Sequence, residues 1–297
     1  MSITPPRDEA SVAVRQRLYV DAKRAAVWGL GVNFVLVLSK LAGGIATGSA
    51  ALVADAVNSI GDVASSMAVR GALSMAQVEE DDDHPYGHTK AESIAGLSVS
   101  LLVAFSAGLL ALETIKRFGS ELEVPGIAAG VIAGVCAVIK EVIYRYTMRV
   151  AKRLNSSSLT AVAWDHRSDA VGEWGLYIDP IAALCVCAAL IYTGGKIFLS
   201  TAAELMDQQA DAGTVQQVRE IAEAVGGVQA VEKLRVRKSG LEYFIEIHVQ
   251  VEGMMTVDAG HRIAHHVKDQ LLVSLPRVRD VHVHIEPFAS SIESSAE

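Results

Sequence analysis

Apolar positions crowd into residues 25–205, and beyond them the pattern becomes that of an ordinary soluble domain. Crossing a bilayer takes about 20 mostly apolar residues. Runs of that kind fall at 25–45, 49–75, 91–115, 124–147 and 179–203. All are rich in Gly, Ala and Ser, which let helices approach closely in lipid. A sixth segment, 157–177, has the length but carries Asp165, His166, Arg167, Asp169 and Glu173. Charged groups at membrane depth are costly and face a bundle interior or water, so this segment predicts an inward-facing helix. After Asp207 the periods shorten. Residues 214–225 read as a helix, and 229–237 and 241–251 alternate as strands around a turn at Lys238-Ser239-Gly240. Residues 256–273 are helical with Thr256 as N-cap, and 280–286 alternate again. The order α-β-β-α-β predicts a small two-layer α+β domain with one antiparallel sheet. The expected organisation is a cytoplasmic segment 1–24, a membrane domain of about six helices over 25–206, a soluble domain over 207–288 and a disordered Ser/Glu-rich tail over 289–297.

Composition agrees: 51% of residues are hydrophobic and 20% charged. The net charge of −8 argues against nucleic acid as a partner. Cys136, Cys185 and Cys187 all lie in apolar segments and suggest neither a disulfide framework nor a thiolate zinc cluster. The first twenty residues lack a continuous apolar stretch, so no cleavable signal peptide is expected. Arg15, Arg17, Lys23 and Arg24 precede the first span, and Arg145, Arg149, Lys152 and Arg153 follow the fourth. The positive-inside rule places both regions, and with an even number of spans both termini, in the cytoplasm.

Within the apolar runs a few residues carry chemistry. Asp55, Asn58 and Asp62 share one face of the second span, and Asp165 and Asp169 are four apart in the fifth. Two such groups on facing helices would converge oxygen donors suited to a hard divalent cation. The alternative is that these acids cap helix ends or pair with Lys40 and Arg70. The loop after the second span contains Asp81, His84 and His88, an arrangement that can bind a transition metal. In the soluble domain His248 lies on one strand, and His282, His284 and Glu286 share a face of another. His261, His265 and His266 lie on the intervening helix. A metal held between chains by a His/Glu cluster fits this pattern. No nucleophile–base pair stands out, so an enzyme is not expected.

These residues sit in recognisable motifs. HPYGHTKAE at 84–92 resembles the His-Pro-x-Gly-His-x-Lys-x-Glu signature of cation diffusion facilitators. ALVADAVNSIGD at 51–62 and AWDHRSDA at 163–170 resemble the family's second- and fifth-span motifs, and DPIAAL at 179–184 the start of its sixth span. The resemblance runs over roughly residues 20–288. It implies a homodimer with six helices per protomer and a ferredoxin-like cytoplasmic domain, exporting divalent metal from the cell, usually against protons. It also implies a transport site at Asn58, Asp62, Asp165 and Asp169, a loop site at Asp81, His84 and His88, and a cytoplasmic site at His248, His261, His284 and Glu286. Lys90 and Asp207 match a charged pair that links the two domains in relatives.

Two departures from the family pattern carry expectations of their own. Zinc-transporting members usually have histidine where Asp165 stands, and oxygen-only coordination favours Mn²⁺ or Fe²⁺ over Zn²⁺. The fifth-span motif is also similar to that of magnetosome-associated members, which handle iron. Only nine residues separate Asp169 from Asp179, about three helical turns short of the family pattern. The leading expectation is a proton-coupled exporter in the cell (inner) membrane. The second is a metal-responsive membrane scaffold that does not transport because the fifth span is short.

Overall fold

The structure, a computed structural model, describes residues 9–48, 50–116, 127–174 and 180–288. The chain divides into two compact units: Tyr19–Leu205, and Met206–Glu297 together with Met1–Leu18. The expected tail at 289–297 lies outside the described residues.

Each expected span is helical over its described residues. The helices are α1 (Glu9–Thr47), α2 (Ala50–Met75), α3 (Lys90–Lys116), α4 (Ile127–Leu154), α5 (Ser157–Trp174) and α6 (Pro180–Leu205). Among the described residues, three stretches are long and apolar enough to cross a membrane by themselves: Ser11–Ala46 in α1, Lys90–Lys116 as α3, and Ala183–Leu205 in α6. The remaining helices, α2, α4 and α5, carry the ionisable residues of the site described below. Polarity in the helical unit is inverted relative to a soluble protein. Phe34, Phe105 and Val142 are exposed, whereas Lys40, Lys140, Glu92 and His166 are buried. That is the arrangement a lipid solvent imposes.

Helix α5 is held at its first turn by two buried carboxylates. Glu92 of α3 accepts hydrogen bonds from the Ser156 hydroxyl (2.5 Å), the Ser158 backbone N–H (2.9 Å) and the Ser158 hydroxyl (2.7 Å). Glu204 of α6 accepts from the Ser93 and Ser157 hydroxyls at 2.6 and 2.7 Å. A helix N-terminus leaves N–H groups without intrahelical partners and carries partial positive charge. A carboxylate there serves as a cap supplied by a neighbouring helix. Gly96 makes the approach feasible: a Cβ at that position would lie 2.9 Å from the Ser158 backbone nitrogen.

The second unit contains α7 (Ala212–Glu223), β1 (Ala230–Ser239), β2 (Glu242–Val251), α8 (Val257–Ser274) and β3 (Val278–Pro287). Gly240, with φ of 60°, makes the hairpin turn in the left-handed region where glycine carries no Cβ penalty. Thr256 caps α8 by accepting from the Ala259 N–H, as its position predicts. The expected antiparallel sheet is corrected in one respect. Strands run in the order β1-β2-β3; β1–β2 is antiparallel but β2–β3 is parallel. Between β2 and β3 the chain passes through α8, and such a crossover returns the strand in the same direction. Ile245, Ile247 and Val249 of β2 pack with Val218 of α7 and Val267 and Leu271 of α8. The even-numbered residues of β2, and those of β3 from Asp280 onward, therefore occupy the opposite face of the sheet, away from the helices.

Candidate metal centres

The first centre lies inside the helical unit. One carboxylate oxygen from each of Asp62, Asp165 and Asp169 falls within 4.8 Å of the others. Asp62 comes from α2, and the other two are one turn apart on α5. Asp62 and Asp165 are each only 7% exposed. Three hard oxygen donors at this spacing in a site cut off from solvent can hold a divalent cation. The side chains of Asp55 and Asn58 lie outside the described residues. The cluster also contains a residue that the sequence motifs do not mark. The Lys140 ammonium of α4 donates to Asp62 Oδ2 at 3.0 Å and forms an ion pair with Asp169 Oδ2 at 2.9 Å. Lys40, a counter-ion candidate from sequence, donates to Ser59 at 3.1 Å, and Arg70 is exposed.

Arg167 and His166 of α5 face other neighbours. The Arg167 guanidinium lies 4.7 Å over the Tyr144 ring and 5.6 Å from the centre of Trp164. Stacking of this kind lets a cation be buried along aromatic faces. His166 is fully buried, and a Cβ on Gly29 of α1 would lie 3.2 Å from its Nε2. Its one-residue offset from Asp165 turns it about 100° around the helix, toward α1.

The second centre is the loop between α2 and α3. Asp81, His84 and His88 again offer three ligand atoms within 4.8 Å. His84 Nδ1 and His88 Nε2 lie 3.1 and 3.5 Å from the two oxygens of Asp81. Gly87, with φ of 73°, folds the loop back so that its N–H reaches the His84 carbonyl at 2.9 Å. Slight desolvation works to raise the Asp81 carboxyl. Hydrogen bonds from the His84 backbone and ring outweigh it and hold the group below its ordinary value.

The third centre lies on the open face of the sheet. His248, His284 and Glu286 form the cluster. His248 Nδ1 is 2.6 Å from Glu286 Oε1, and His284 Nε2 is 3.6 Å from the same oxygen. His261, expected with them from the resemblance, is not in this group within one chain; its Nε2 lies 3.1 Å from that of His265. Glu232 adds a donor that sequence reading missed, 3.9 Å from His248 Nδ1. The pairing of β1 with β2 shifts register between Val231 and Lys233, so Glu232 is the residue in the bulge. A bulge re-aims the side chain it carries.

Hydrogen bonding to His248 holds the Glu286 carboxyl below its usual value, and hydrogen bonds from Thr214 do the same for Asp211, the N-cap of α7. Both folded values lie below the unfolded ones. The stabilisation is therefore complete above the ordinary carboxylate range and is lost as pH falls through the depressed folded values. We expect metal-free thermal unfolding of this unit to shift to lower temperature as pH falls below about 4, as read by circular dichroism.

Comparison with known proteins gives the family. Residues 26–206 match the family model described as the cation efflux transmembrane domain, and 210–288 match the cation efflux protein cytoplasmic domain. The chain belongs to the cation diffusion facilitator family. As a family member it is a multi-pass membrane protein and a metal cation efflux transporter. It is 25% identical to the manganese efflux system protein MneP of Bacillus subtilis over 286 residues, covering 90% of this chain and 96% of the relative. It is 30% identical to metal tolerance protein 2 of Oryza sativa, covering 86% and 76% of the two chains. It is also 26% identical to the magnetosome protein MamB of Magnetospirillum gryphiswaldense, covering 92% and 96%. Among solved structures, the MamM C-terminal domain is 29% identical and is covered in full, matching 26% of this facilitator with a TM-score of 0.26.

Proposed function

We propose that this facilitator exports Mn²⁺ or Fe²⁺ from the cytoplasm in exchange for protons, working as a homodimer in the cell membrane with both termini inside. The observation that carries this reading is the buried convergence of Asp62, Asp165 and Asp169 from α2 and α5. The donors are all oxygen, which favours Mn²⁺ and Fe²⁺ over Zn²⁺. The full-length likeness to a manganese efflux protein supports the same preference. Asn58 is proposed as the fourth ligand from its place in the α2 motif. Carboxylates suit exchange because proton and metal compete for the same lone pairs. Metal enters past Asp81, His84 and His88, and protons arriving from the far side help release it. The cluster of His248, His284 and Glu286, with Glu232, is proposed to bind metal and to regulate dimer closure, with His261 contributed across the dimer.

One observation favours a second reading, a metal-responsive scaffold. Only nine residues separate Asp169 from Asp179, where the sixth-span motif begins. Spin-label distances between the two soluble domains, measured during Mn²⁺ titration alongside a liposome flux assay, separate the readings. Export predicts closure accompanied by flux. Closure without flux of Mn²⁺, Fe²⁺ or Zn²⁺ would overturn export and leave the scaffold.

A further inference from the structure

Lys140 is an unusual residue for its position. It lies in the middle of α4, is 1% exposed, and reaches the carboxylates of two other helices. The family motifs on α2 and α5 account for the acids but not for this cation. Its ammonium bridges Asp62 Oδ2 and Asp169 Oδ2 at 3.0 and 2.9 Å, so it stands between two of the three carboxylates that define the centre.

A metal bound to those same oxygens would sit about 2.1–2.6 Å from each. The ammonium, about 3 Å from both oxygens, would then lie almost in contact with the metal. Two cations at that separation in a low-dielectric site repel strongly. They also compete for the same lone pairs, so Lys140 and the metal cannot share these two oxygens. Lysine suits an alternating occupancy: it is a compact point charge on a flexible four-carbon stem, able to leave without moving the backbone. The need for it is also clear. Three carboxylates brought together inside a membrane bundle without a counter-ion would be prohibitively costly.

We propose that Lys140 is a tethered cation that fills the carboxylate cluster when metal is absent and must leave it for metal to bind. Lys140 then stabilises the empty carrier on its return and weakens metal binding enough for release. It is a positioning and affinity-setting residue, not a ligand. The proposal rests on the reading of the cluster as the transport site.

The test is Mn²⁺ titration of the full-length protein in nanodiscs by calorimetry, on wild type, Lys140→Met, Lys140→Gln, Lys140→Arg and Asp169→Asn. The binding heat that disappears in Asp169→Asn defines the cluster among the chain's metal centres. Removing a competing occupant predicts that Lys140→Met and Lys140→Gln bind Mn²⁺ at that centre at least about tenfold more tightly. Both should gain more thermal stability from Mn²⁺ than wild type does, and flux should slow because release slows. Lys140→Arg keeps the competing charge and should bind no more tightly than wild type. A lysine that merely braces the bundle predicts the opposite sign, with affinity weakened or unchanged in the neutral variants; that result, in either variant that folds, overturns the proposal. Should neither neutral variant be recovered, Lys140→Arg decides alone, because tighter binding in it contradicts competition by charge. Full binding and flux in Asp169→Asn would instead remove the transport-site reading itself.

Discussion

Replacing Asp169 by Ala is expected to reduce Mn²⁺ flux to the level of empty liposomes while the protein still inserts and dimerises. Asp169 is one of three carboxylates in the buried cluster and the second partner of Lys140. Loss of an outer-shell partner typically costs 10–100-fold in metal affinity, so loss of a direct ligand should cost at least about 100-fold. The substitution also leaves the Lys140 ammonium with one fewer counter-ion, which lowers stability. Thermal unfolding and cross-linking of the same sample therefore belong beside the flux assay. Normal flux in a well-folded Asp169→Ala protein would remove the cluster from the transport path.

The second large effect is expected at Glu92, the last residue of the HPYGHTKAE motif and not a member of any of the three metal centres. Its carboxylate accepts three hydrogen bonds from Ser156 and Ser158 at the start of α5. Glu92→Ala leaves those buried donors unsatisfied, at a cost on the order of 3 kcal/mol or more. Because α5 carries Asp165 and Asp169, its loosened N-terminus should displace both carboxylates. Flux should fall with stability even though no ligand is changed. Glu92→Gln keeps an acceptor oxygen in place and should recover most of the stability and part of the flux. Equal loss in Ala and Gln variants would mean that the negative charge, not the capping geometry, is what the site needs.

The fold was legible where periodicity is local. Five apolar runs and one polar-interrupted segment became six helices, and the hairpin, the Thr256 cap and both soluble helices follow from turn chemistry and 3.6-residue spacing. The parallel pairing of β3 was not legible in the same way, because strand alternation does not encode direction. The carboxylates of the cluster stood out because acids are rare in apolar runs. Lys140 did not, since it stands where an apolar run gives way to Glu141 and Arg145 and reads as the charged end of a helix. Only the packing of α4 on α5 turns it inward. Glu232 was hidden for another reason. Strict alternation with Leu234 and Val236 would point it into the core, and the bulge reverses its side.

The most direct test of metal–proton exchange is a single liposome experiment. Purified protein is reconstituted with a Mn²⁺-sensitive dye inside and a pH indicator reporting the opposite movement of protons. The account predicts Mn²⁺ entry that accelerates when the lumen is the more acidic side, alkalinisation of the lumen matched in time to the metal, and a weaker response to Zn²⁺. Mn²⁺ movement indifferent to the gradient, or no movement of any divalent ion while the soluble domain still binds it, would contradict the account.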